Sequence, residues 1–173
     1  MIAKIISILL LIFMPLALGI GNAEEVGMNM KILSPEFENK GFIPSKFTCQ
    51  GENISPTLII EELPNGAESL ALIVDDPDAS VGTWVHWVVF DIPLITRIEE
   101  NSIPGKQGRS DSGRNDYGGP CPPTGTHRYF FKIYALDKML NLSEGITKKE
   151  LVKAMEGHIL GQAELIGLYK KTK

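Results

Sequence analysis

The sequence predicts a mainly β fold, and three segments carry that prediction. Leu70, Ala71, Leu72, Ile73 and Val74 form a short unbroken apolar run, the pattern of a strand buried on both faces. Trp84 to Phe90 is aromatic and β-branched throughout. In Arg128 to Leu136, Tyr129, Phe131, Ile133 and Ala135 line one apolar face, while Arg128 and Lys132 on the other point to partial exposure.

Ahead of these lies a separate segment. Lys4 precedes the apolar run Ile5 to Ile20, and Gly21-Asn22-Ala23 follows it. This reads as a secretory signal peptide, residues 1–23, cut after Ala23. A membrane anchor is the rival reading, but the run falls short of the ~20 residues a spanning helix needs. Residues 24–173 then form one domain, secreted or periplasmic, too short to divide into two ordinary ones. With 43% hydrophobic and 22% charged residues the composition is globular and argues against disorder. A net charge of −4 without a basic run argues against a nucleic-acid partner.

The remaining elements follow in chain order. Weak strand patterns cover Met30 to Leu33 and Thr57 to Glu61. A stronger strand, Ser69 to Asp76, ends at Pro77. Trp84 to Phe90 presents Trp84, His86, Val88 and Phe90 on one face and Val85, Trp87 and Val89 on the other, and Asp91-Ile92-Pro93 stops it. Neither face is polar, which places the strand centrally in a sheet. Pro104 to Gly125 is longer than the ~12–15 residues of an ordinary connector, so an ordered, functional loop is expected. Thr147 and Glu150 form a capping box ahead of Leu151, Val152 and Met155, with Gly157 as the stop of a helix. Ile159 to Tyr169 fits either a strand or a short helix. Cys49 and Cys121 allow one disulfide, worth ~4 kcal/mol on the chain-entropy model, and equally allow two buried thiols.

Three side chains carry the chemical interest. Asp76 is in phase with the core-facing Leu70, Leu72 and Val74; His86 lies within a strand that has no solvent face; His127 shares parity with Tyr129 and Phe131. Taken singly, each has a bland reading: an Asx turn through Asp76 and Asp78, a satisfied core histidine, an exposed strand start. Converging, with Gly118-Gly119-Pro120 closing over them, they suit an anion, because imidazoles donate or protonate and glycine N–H groups approach closely. A zinc site fits less well, because the close-spaced ligand pairs are missing. No nucleophile elbow, P-loop or dinucleotide fingerprint is present, and Cys121 has no evident partner base. A non-enzymatic protein without a cofactor is therefore expected.

Asp76-Pro77-Asp78-Ala79, Trp84-x-His86 and Gly119-Pro120-x-Pro122 leading to His127-Arg128-Tyr129 resemble the signature of the phosphatidylethanolamine-binding protein family. Phe47-Thr48-Cys49-x-Gly51-x-Asn53-Ile54-Ser55-Pro56, Gly113-Arg114-Asn115-Asp116 and Gln162-Ala163-Glu164-Leu165 are similar to its bacterial and archaeal Raf-kinase-inhibitor-like branch. The resemblance spans roughly Met30 to Lys171. It implies a large central antiparallel sheet, a smaller sheet packed on it and a few peripheral helices. It also implies a pocket for phosphate-type groups or phospholipid head groups, using Asp76, His86, Gly119, Pro120, His127 and Tyr129, with Asp78 supporting the turn. The stretch from Asp116 to Gly119 looks shorter than in many bacterial members, which implies a more open rim. An inhibitor or interaction protein acting on another exported protein is the alternative, an unrecognised hydrolase a weaker one, and a homodimer stays open.

Overall fold

The computed structural model describes residues 29–172, so the expected signal peptide and its cleavage site lie outside the described residues. The strands are β1 (Lys31–Leu33), β2 (Gly41–Phe42), β3 (Leu58–Glu61), β4 (Ser69–Asp76), β5 (Trp84–Ile92), β6 (Arg97–Ile98), β7 (Lys106–Gln107), β8 (Thr126–Leu136) and β9 (Ile159–Lys170). Among the described residues one α-helix, α1 (Lys148–Met155), precedes β9, and one 3-10 turn spans Ser45–Phe47. The strands build a six-stranded sheet in the order β2-β9-β8-β4-β5-β7 and a three-stranded sheet in the order β1-β3-β6. The large sheet is antiparallel except at one edge, where β2 runs parallel to β9. Among the described residues no helix is long and apolar enough to cross a membrane.

The large sheet is covered on both faces, which is why its middle strands are apolar on both. Leu70, Leu72, Val74, Trp87, Val89, Phe131 and Ile133 face Ile32, Leu58, Ile60 and Ile98 of the small sheet. The opposite face, with Ala71, Ile73, Val88 and Phe90, packs on Leu151 and Met155 of α1. Each of the buried Val, Leu, Ile and Met side chains among these contributes roughly 1.5–3 kcal/mol of transfer free energy. The helix begins as its sequence dictates. Thr147 accepts from the Glu150 N–H while the Glu150 carboxylate accepts from the Thr147 N–H, and Gly157 at φ 77 supplies the left-handed turn that follows. The open choice for the C-terminal segment resolves as a strand, since β9 pairs along nearly the whole length of β8.

β5 differs from its expected outline in three ways. It runs on through Asp91 and Ile92, and only Pro93 ends it. Asp91 adopts φ 52, and its buried carboxylate accepts from the Leu140 N–H at 2.7 Å, so this residue leaves the ladder, which resumes at Ile92. The strand also sits one place in from the edge, flanked by the two-residue β7, although both its faces are buried. Most consequential is a bulge at its start. Trp87 pairs with Val74 and Val85 with Asp75, so His86 is an extra residue in the ladder. Strict alternation would have put His86 with Val88 and Phe90 beneath the helix. Instead Val85 joins that face, and the His86 ring meets the edge of Tyr129, 5.3 Å between centroids, on the other.

Candidate functional site

A cavity of about 330 Å³ opens where β4, β5 and β8 end together on that face. Asp76 reaches it from the end of β4, His86 from the bulge, and His127 and Tyr129 from the start of β8. All four are buried, with His86 at 8% and His127 at 9% exposure, so their polar atoms need partners in the protein or in a ligand. Asp76 divides its carboxylate. One oxygen accepts from the Asp78 N–H at 2.8 Å, closing the Asx turn, and the other lies 2.7 Å from His127 Nδ1. That carboxylate fixes the orientation of the His127 ring.

His86 is held differently. Its Nδ1 lies 2.7 Å from the Gly118 carbonyl, and the Gly118 N–H returns a bond to the His86 carbonyl. Burial pushes the His86 imidazole below the ordinary histidine range, opposed by the Gly118 carbonyl and by Asp76, Asp75 and Asp111. The Tyr129 hydroxyl is the remaining polar group. It is buried beside Asp76 and the Cys121 backbone, yet among the described residues it makes no hydrogen bond. Burial is the main reason its pKa is driven upward, so it stays a donor.

The wall facing these groups is apolar: Ala79 and Val81 of the turn after β4, Trp84, and Pro122 and Pro123. Cys49 and Cys121 are joined in a disulfide with Cα atoms 5.4 Å apart, which ties this wall to the segment after the 3-10 turn. Gly119 presses against that segment, where a Cβ would stand 2.4 Å from the Phe47 carbonyl oxygen and 2.6 Å from Asn53 Oδ1. Only glycine fits there.

The structure therefore brings together Asp76, His86, Gly119, His127 and Tyr129 of the expected set. Two others stand apart from the cavity. Pro120 is buried outside the lining, where its carbonyl accepts from the Cys49 N–H. Asp78 turns to Arg128, accepting from its backbone N–H, Nε and Nη2. The glycines also act otherwise than expected. Gly118 and Gly119 spend their N–H groups on the His86 carbonyl and on Asn53 Oδ1, so neither N–H is left for an anion. Trp84, Val81, Ser110 and Ser112 line the cavity and were not singled out by the sequence. Trp84 reads there as a core anchor, and the serines carry no pattern.

The model of the family described as phosphatidylethanolamine-binding protein matches residues 33–170. The chain belongs to the phosphatidylethanolamine-binding protein family. Among its relatives, a UPF0098 protein of Methanothermobacter thermautotrophicus is 50% identical over 152 residues, covering 83% of this chain and 99% of that one. A UPF0098 protein of Pyrococcus horikoshii is 48% identical, covering 97% and 90%. Solved structures of the family superpose well. A phosphatidylethanolamine-binding protein homolog from Chlamydia trachomatis gives a TM-score of 0.80 at 43% identity, covering 83% of this chain and 98% of that one. Escherichia coli YbcL, described as a member of the mammalian family, gives 0.77 at 27% identity, covering 83% and 99%.

Proposed function

We propose that the protein is a non-enzymatic binding protein whose cavity holds the anionic end of a small ligand, a phosphate-type group or a phospholipid head group. The observation that carries this reading is the buried, unpartnered Tyr129 hydroxyl beside the Asp76–His127 pair. A donor left without a partner costs roughly 1–3 kcal/mol, a cost that a ligand oxygen removes. The family description, which names a phospholipid, and the apolar wall opposite the polar groups support a ligand with an anionic end and a less polar remainder.

A ligand that binds only the folded state raises its melting temperature. Millimolar inorganic phosphate is expected to do so for the wild-type protein and to leave His86→Ala unshifted, read by calorimetry. Equal shifts in both proteins, or none in either, would sink the proposal.

A further inference from the structure

We propose that His86 makes the cavity selective for an oxyanion that carries a hydrogen, such as inorganic phosphate or a phosphomonoester monoanion, over sulfate and phosphodiesters, which carry none. The inference rests on the phosphate-type reading above and narrows it. A carbonyl oxygen can only accept, so the 2.7 Å contact with Gly118 requires the hydrogen of a neutral His86 to sit on Nδ1. Its Nε2 makes no hydrogen bond among the described residues, and the side chain lines the cavity. Burial favours the neutral ring, so Nε2 presents a lone pair at neutral pH.

The cavity thus offers a ligand opposite things. The Tyr129 hydroxyl, a donor without a partner among the described residues, can meet a bare oxygen. His86 is backed by a carbonyl, and its exposed nitrogen repels a bare oxygen and welcomes a hydroxyl. The charged and titratable groups around His86 are Asp76, His127 and Tyr129 in the cavity, and Asp75 and Asp111 behind it. All three carboxylates favour a proton on the ring, and burial opposes them. In the complex one hydrogen lies between His86 Nε2 and the nearest ligand oxygen. Phosphate brings that hydrogen with it. Sulfate and a diester must recruit it from solvent, one proton for each anion bound. An intact phospholipid, being a diester, would have to turn its ammonium towards His86.

Isothermal titration of the wild-type protein, at pH ~6 and ~8 and in two buffers of different ionisation enthalpy, tests this with inorganic phosphate, sulfate and dimethyl phosphate. Phosphate is expected to bind at both pH values without net proton uptake. Sulfate and dimethyl phosphate should take up close to one proton each at pH ~8. Their affinity should fall at least ~10-fold between the two pH values, as binding that takes up a proton requires. In His86→Gln, whose amide offers both a donor and an acceptor, the preference for phosphate over sulfate should collapse to within about threefold. Sulfate that matches phosphate at both pH values without proton uptake overturns the selectivity and leaves the phosphate reading intact. Phosphate that fails to bind at either pH overturns both.

Discussion

Asp75 and Asp76 follow one another on β4, and the two-residue period of the strand sends their carboxylates to opposite faces of the large sheet. Asp75 is fully buried on the helix face. Lys132 Nζ of β8 meets it at 2.9 Å and Lys148 of α1 closes on its other oxygen, so the carboxylate fastens the helix to the sheet. Asp76 faces the cavity, where it orients His127 and shapes the turn towards Asp78. The lesson is that identical chemistry one residue apart divides into support and recognition, and that parity decides which is which.

The largest expected effect lies on the supporting side. Asp75→Ala leaves two lysine ammonium groups without their shared partner. Both are partly exposed and can turn to water, so the cost is set at about 2–3 kcal/mol, below that of a fully buried pair. Urea denaturation measures it, and phosphate binding by the folded fraction should persist. A loss under ~1 kcal/mol would mean that the lysines do without Asp75 and that the contrast between the two carboxylates is overdrawn.

Asp76→Asn should show the converse. Stability should change by no more than about 1 kcal/mol, since the amide can still accept from the Asp78 N–H. Affinity for inorganic phosphate should fall at least ~10-fold, because an amide holds the His127 ring less firmly than the carboxylate does. If phosphate binding survived while the fold weakened, Asp76 would be a second Asp75.

The smallest effect concerns the pair that stands behind the turn. Arg128 holds Asp78 down to about 2, chiefly through its side-chain hydrogen bond. A carboxyl whose folded pKa is depressed adds stability above its ordinary range and loses it as pH falls through the folded value. The advantage of the wild type over Arg128→Ala should therefore shrink between pH ~5 and ~2, followed by thermal melts. Arg128 is half exposed, so near neutrality the melting temperatures should differ by no more than about 2 °C.

How much of this was legible in the sequence depended on whether the signal was local. The bounds of β4 and the cap of α1 were readable because an apolar run ending at proline and a Thr-x-x-Glu box are short-range codes. Asp76 and His127 kept the parity that their strands predicted, so half of the cavity was visible in advance. His86 reached it by a different route. Alternation in β5 pointed the wrong way, and no residue type announces a bulge that depends on pairing with β4. The commitments of the Gly118 and Gly119 N–H groups to His86 and Asn53 were hidden for the same reason, since their partners come from distant segments.

That extra residue in β5 also sets which kinds of change the cavity tolerates. His86 arrives on the ligand side because the stretch from Val85 to Trp87 holds one residue more than the stretch of β4 it pairs with. Many substitutions around it would preserve this count, whereas the loss of a single residue would restore simple alternation and turn the imidazole under the helix, with the hydrophobic composition almost untouched. The length of this segment is thus under tighter constraint than its lettering, and insertions and deletions are the changes through which the recognition chemistry would be lost while the fold endured.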